Sequence, residues 1–265
     1  MGVLNVTPDS FYDGGCYDTT EAAVARGLVL VAEGADIVDV GGESTRPGAE
    51  PVAEDDELAR VIPVIEGLAG RVRVSVDTMK PAVARAALLA GATMVNDVSA
   101  SLWDVAAAAG AGWVAMHMQG QPQTMQRDPS YGDVVAEVTE FVLARAQEAL
   151  RAGVKEVWVD PGIGFGKSME HNLSLLRHLP GLVAAAADVG CAGVAVGTSR
   201  KRFIGLLAAG AGGGNGRGME PAGVEDRLEG SLATAVGAIV AGAGMIRVHD
   251  VAATVQAVRL YGPAA

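Results

Sequence analysis

Cysteine is almost missing from this chain. Cys16 and Cys191 stand far apart with no CxxC pair, which excludes a disulfide framework and a zinc-finger spacing and fits a reducing compartment. A surplus of positive charge is missing too. The formal net charge is −11, so neither nucleic acid nor an anionic membrane is expected as a partner, because both select for a basic face. An anionic substrate must then be met by a few local Arg or Lys side chains. No run reaches about 18 uninterrupted apolar residues, and Met1 to Ser10 lacks the basic, apolar and small-residue order of an export signal. A soluble, cytoplasmic protein is expected. What the chain does have is apolar material: half of its 265 residues, enough for one large core. Barrels of alternating strands and helices commonly reach about 250 residues as one domain.

One pattern recurs along the chain. An Ala-rich helical stretch ends at Gly, a few apolar residues follow, and a polar residue closes the run, as in Gly34 to Asp39, Gly91 to Asn96, Gly110 to His117, Gly153 to Asp160 and Gly244 to Arg247. Glycine suits the left-handed residue that ends a helix, and the short apolar run suits a strand buried on both faces of a parallel sheet. Gly2 to Leu4, Arg73 to Val76 and Val194 to Gly197 bring the count to about eight strands, the number that closes a barrel. The reading is an α/β protein of one domain over residues 1–265, a TIM-type (β/α)8 barrel with its active site at the C-terminal rim of the strands. Helix signals agree: Asp18 with Glu21 as a capping pair before Val24, Leu28 and Val31, Pro81 as a first helical residue, and Val134, Val138 and Phe141 as a core stripe. Met169 to Ala186, Val224 to Ala241 and the segment after Val251 complete the helices. The glycine-rich stretch 209–218 reads as a surface loop.

The strand ends are polar. In chain order they carry Asn5, Asp39 with Glu43, Asp77, Asn96, His117, Asp160, Ser199 with Lys201, and Arg247 with His249. Asp and Asn often cap the helix that follows a strand, so each of those has a structural reading. That reading does not account for the whole set, because caps need not be Lys, Arg or His. Two other motif matches fail: Pro161 to Ser168 has Pro where a phosphate-binding loop needs Gly, and Asn5-Val-Thr7 fits a glycosylation acceptor in a chain expected not to be secreted. The His residues show neither HExxH nor close pairing, which argues against structural zinc.

The segments that remain are Met1 to Phe11 with Asp13-Gly-Gly15, Asp39 to Gly48, Ser75 to Thr78, Asn96-Asp97, Met116 to Gly120, Asp160 to Lys167, Ser199-Arg-Lys201 and Arg247 to Asp250. With them in this order the chain resembles the dihydropteroate synthase family over nearly its whole length. The resemblance implies a transferase that joins 6-hydroxymethyl-7,8-dihydropterin pyrophosphate to p-aminobenzoate, releasing pyrophosphate. It implies a pterin held by Asp77, Asn96, Met116, Asp160, Lys201 and Arg247, and pyrophosphate held by Asn5, Thr45, Arg46, Arg247 and His249. Mg²⁺ would be bound at Asn5. The p-aminobenzoate would meet Phe11, Thr45, Arg46, Pro47, Phe165, Ser199 and Lys201, with Lys201, Arg247 and His249 as the catalytic groups. A homodimer through the late helices and sensitivity to sulfonamides are implied as well. The residue chemistry agrees, since a carboxylate such as Asp160 can accept two donors from an aminopyrimidinone edge. Two alternatives stay open. Methyltetrahydrofolate–corrinoid methyltransferases share the Asp and Asn rim positions but not the STRPG, SRK and RVHD segments. A non-catalytic pterin-binding paralogue would be favoured by loss of Arg46, Lys201 or Arg247, all of which are present.

Overall fold

Short, mostly apolar segments, all but the first reached from a helix, dictate the architecture. The computed structural model describes residues 1–7, 20–45, 48–210 and 220–261. Eight strands alternate with helices: β1 (Gly2–Asn5), α1 (Thr20–Ala32), β2 (Ile37–Gly41), α2 (Glu54–Leu68), β3 (Arg73–Asp77), α3 (Pro81–Leu89), β4 (Met94–Asp97) and α4 (Trp103–Ala109). The second half follows as β5 (Gly112–Met116), α5 (Val134–Arg151), β6 (Val157–Asp160), α6 (Met169–Arg177), α7 (Leu179–Val189), β7 (Gly193–Val196), α8 (Arg202–Ala208), α9 (Leu228–Val240), β8 (Met245–Ile246) and α10 (Val251–Tyr261). The strands form a curled, all-parallel sheet in the order β1 to β8. Between its two end strands, Gly2 bridges Val248, Val3 N donates to Val248 O at 2.9 Å and Val248 N donates to Met1 O at 3.0 Å.

The period of two along each strand separates two cores. Val38, Val40, Val74, Val76, Val95, Val194 and Val196 face the helices and are fully buried, each contributing about 1.5–3 kcal/mol by leaving water. Ile37, Met94, Val114, Ala195 and Met245 face the other way, into the curl, and pack with Trp158. Gly193 and Gly244 make room for that ring, since a Cβ at either would come within 2.8 and 3.0 Å of it. Above this plug the register sets Asn5 beside Gly41, Gly41 beside Asp77 and Asp77 beside Asn96, all at one height.

The helices begin and end on recognisable signals. Pro81 opens α3, the Asp133 carboxylate caps α5 by accepting from Val135 N and Ala136 N, and Ser168 with His171 forms a capping box on α6. Gly91, with φ 113, ends the α3 segment in a conformation that a Cβ would oppose. The helix expected over Met169 to Ala186 is two helices, because the chain leaves helical geometry at His178 and Pro180 restarts it in α7. Of the expected surface loop at 209–218, residues from 211 onward lie outside the described residues, as does Asp18 of the α1 capping pair. No helix among the described residues is long and apolar enough to cross a membrane.

Candidate active site

The rim of the curl is organised around one guanidinium. Arg247, just past β8, donates through Nε to Asp39 Oδ2 at 2.6 Å and through Nη2 to Asp77 Oδ2 at 2.7 Å. Asn96 Nδ2 donates to the same Asp39 oxygen at 3.0 Å. Burial alone would weaken the hold of Arg247 on its proton, but Asp39 and Asp77 reverse this and keep it charged. Burial pushes the Asp77 carboxyl up to about 7, with Arg247 opposing, and raises Asp160 as well. Asp160 Oδ1 accepts from Gly162 N at 2.7 Å. A small cleft lies over these groups, lined by Thr45, Asp77, Asn96, Val98, Met116, Asp160, Gly162, Ile163, Phe165, Gly197, Lys201 and Arg247. Most of the expected pterin and p-aminobenzoate residues therefore share one small space.

The wall of that space is the loop after β6. Its peptide groups are pinned from several sides: Gln126 Nε2 donates to Gly164 O at 2.6 Å, Tyr131 OH to Gly166 O at 2.8 Å and Lys167 Nζ to Phe165 O at 3.0 Å, while Gly164 N donates to Asn172 Oδ1 at 2.7 Å. The Phe165 ring is thereby presented among Val98, Met116 and Met125, with Met79 and Met118 alongside. Lys201 Nζ lies 3.9 Å from the centre of that ring. Burial, together with Arg247, lowers Lys201 to about 8. Arg202 next to it is exposed.

Other expected residues fall nearby or beyond view. His249 and Ser199 are paired with each other: Ser199 Oγ accepts from His249 N at 3.2 Å and lies 3.1 Å from its Nδ1, and neither lines the cleft. Burial, then the charges of Arg247 and Arg200, lower His249 to about 3, so its ring is neutral at physiological pH. Asn5 ends β1 outside the cleft lining. Phe11, Arg46 and Pro47 lie outside the described residues.

Some members were not assigned a role from the sequence. Asp39, fully buried beneath Arg247, is one. Lys167 is another: its ammonium sits 2.9 Å from His117 Nδ1, and burial lowers it to about 7 and the neighbouring His117 to about 3. A neutral His117 ring accepts at Nδ1 while Lys167 Nζ donates. A third group holds the loop after β2, where Lys80 Nζ bridges Glu43 Oε2, at 2.6 Å, to the fully buried Glu57, and Glu43 Oε1 accepts from Val52 N at 2.9 Å. Only the polarity of strand ends hinted at Asp39 and Glu43. Nothing local signalled Glu57, whose place depends on α2 packing against β3.

Fold and rim together define an α/β protein in which buried carboxylates, an amide and two basic side chains converge on one cleft at the strand ends. A family model described as pterin binding enzyme matches residues 1–249. The chain is 44% identical to the dihydropteroate synthase of Escherichia coli strain K12, over 98% of this chain and 89% of that protein. Among solved structures it is similar to Xanthomonas albilineans dihydropteroate synthase with 4-aminobenzoic acid, at TM-score 0.85 and 48% identity, covering 98% of this chain and 90% of that one. The same enzyme in complex with 7,8-dihydropteroate gives TM-score 0.81 and 45% identity, with 98% and 90% covered. The chain belongs to the pterin-binding enzymes and, within them, to the dihydropteroate synthases.

Proposed function

We propose that this chain carries out the reaction of its family in folate biosynthesis at the cleft over Asp77, Asn96 and Asp160. In that reaction 6-hydroxymethyl-7,8-dihydropterin pyrophosphate and p-aminobenzoate give 7,8-dihydropteroate and pyrophosphate. The observation that carries the assignment of roles is the convergence of Asp77, Asn96, Asp160, Lys201 and Arg247 on one space with Phe165 as its wall. The Asp160 oxygen not taken by Gly162 accepts from the pterin amine edge, Asn96 donates and accepts, and Lys201 donates to ring acceptors. Arg247 is planar and stacks on the ring while reaching the phosphates. The bond from the exocyclic methylene to oxygen breaks, its electron pair leaving with pyrophosphate, and the pterin ring spreads the positive charge left behind. The arylamine nitrogen then forms the new C–N bond and gives up its proton. Such a cation needs no activated nucleophile, so no general base is assigned. Thr45, Arg46, Arg247 and neutral His249 hold the leaving group, and donors aimed at it gain strength as its charge develops. Phe11, Pro47, Phe165, Ser199 and the stem of Lys201 complete the p-aminobenzoate site. A methyl transfer to a corrinoid would release no pyrophosphate. An assay for pyrophosphate release with both substrates therefore tests the assignment, and no release would overturn it.

Mg²⁺ fits the donors at Asn5. A side-chain amide oxygen is the hard donor that this ion accepts, and Gly41, without a side chain, leaves room between Asn5 and Asp77: a Cβ there would lie 3.8 Å from Asn5 Oδ1 and 3.7 Å from Asp77 Oδ2. Among the described residues no group of three or more His, Cys, Asp or Glu could hold a metal, so water and phosphate oxygens would supply the other ligands. The ion would neutralise charge on the departing pyrophosphate. We also read the whole chain as one (β/α)8 barrel, supported by the bonds that join β1 to the β8 end at Val248. A homodimer through late helices is supported by Leu207, Val224 and Val240, apolar yet exposed at 40, 47 and 67%. The acidic charge suits a cytoplasmic enzyme acting on small molecules, not on nucleic acid or an anionic membrane.

A further inference from the structure

The turn that delivers Lys201 to the cleft contains a backbone outlier. Arg200 has φ 60, in the left-handed region that a residue with a Cβ adopts at a cost. Lys201 N donates to Thr198 O at 3.1 Å, so Arg200 is the third residue of a four-residue turn. Positive φ at that place ordinarily selects glycine or asparagine. Here an arginine stands, and its backbone N–H, its carbonyl and its guanidinium all have partners. Arg200 N donates to Ser231 Oγ at 3.0 Å, and Arg227 Nη1 donates to Arg200 O at 3.0 Å. Its guanidinium grips Asp250 bidentately, Nε to Oδ2 at 3.0 Å and Nη2 to Oδ1 at 2.5 Å. The turn sends three successive side chains three ways: Ser199 to His249, Arg200 to Asp250 and Lys201 over Phe165.

We propose that the Arg200–Asp250 pair is a positioning clamp, which holds Arg200 left-handed and thereby fixes Lys201 in the cleft and His249 against Ser199. Neither clamp residue lines the cleft. A non-glycine residue released from its partner relaxes toward negative φ, and that rotation carries the next residue, Lys201, away from Phe165. A glycine at the same place needs no clamp. The inference rests on the role given to Lys201 above.

The difference between alanine and glycine tests it. Arg200→Ala and Asp250→Asn are expected to lower kcat/KM for the pterin substrate about tenfold, the factor matching one unsupported left-handed residue. Arg200→Gly keeps most of the activity, and Arg200→Gly combined with Asp250→Asn is no worse than Arg200→Gly alone. Melting curves of all four separate loss of fold from loss of positioning. Arg200→Gly as impaired as Arg200→Ala would overturn the clamp, since the side chain itself would then be needed. So would an Asp250→Asn protein that melts earlier but turns over normally. Lys201→Ala, measured alongside, keeps the two readings apart: if it stays active, the role of Lys201 fails; if it is inactive and glycine does not rescue, only the clamp fails.

Discussion

At the residue scale the site works by making charges expensive and then pairing them. Asp160 has one oxygen committed to Gly162 N, and its burial disfavours the ionised form, so donors facing its other oxygen, the role proposed for the pterin edge, would make that charge tolerable. Asp160→Asn replaces an acceptor by a misdirected donor, costing about 1.5–3 kcal/mol. Calorimetry with a pterin analogue should show affinity at least about tenfold lower; unchanged affinity would remove Asp160 from the site. Lys201 gives a complementary pH signature. Its ammonium, lowered to about 8, is intact below that pH and lost above it, so pterin affinity should fall as pH rises through about 8. In Lys201→Arg the guanidinium does not titrate in this range, and the alkaline fall should vanish even if the absolute affinity is lower. A fall that persists in the variant would assign it to another group. Asp77, Asn96, Asp160, Lys201 and Arg247 were all legible as polar residues at strand ends. Asp39 was seen there too, but its task, holding Arg247 from below, appears only when β2 and β8 are brought together.

Among the elements, the loops after β5 and β6 form one unit. Gly162, φ 65, and Gly166, φ 63, lie so close to the preceding loop that a Cβ would fall 1.8 Å from His117 O and 2.3 Å from Gln119 O. Gly162→Ala must therefore move backbone, not a flexible side chain. We expect an earlier melt and, in whatever remains folded, a KM for p-aminobenzoate raised about tenfold or more, a size typical of misplacement near the chemistry. Gly153→Ala is the control. At φ 96 with nothing within 4 Å, it costs only the left-handed strain, about 1–2 kcal/mol, and should leave KM alone. A KM effect confined to neither variant would show that the Phe165 wall does not depend on this packing. The βα alternation was legible because each strand is a few apolar residues after a glycine, and strand bounds moved by only a few residues. The break at His178 was not, because the apolar pattern runs through it and Pro180 suits the start of a helix as well as the end of one.

For the whole molecule, acid stability reports how these burials add. His117 is held neutral, with its proton affinity lowered to about 3, whereas the unfolded chain binds that proton near the ordinary value of 6.5. Between those two pH values the unfolded state carries more protons, so this group makes stability rise with pH and fall as acid is added. Asp77 acts in the opposite sense. Raised to about 7 from an ordinary 3.8, it binds a proton in the folded state first and favours folding as pH falls through that window. The total slope mixes the two, so the informative quantity is a difference between proteins. His117→Gln keeps an acceptor for Lys167 but cannot titrate. At neutral pH the variant loses ring contacts with Phe141 and Tyr131 and should be somewhat less stable. As pH falls below about 6.5, however, the wild type should lose stability faster by about one proton, about 1.4 kcal/mol per pH unit, until the two curves converge or cross. Urea unfolding at a series of acid pH values measures both slopes directly. Parallel curves would mean that His117 is protonated within the folded protein, and the donor toward it could then not be the Lys167 ammonium that pins Phe165.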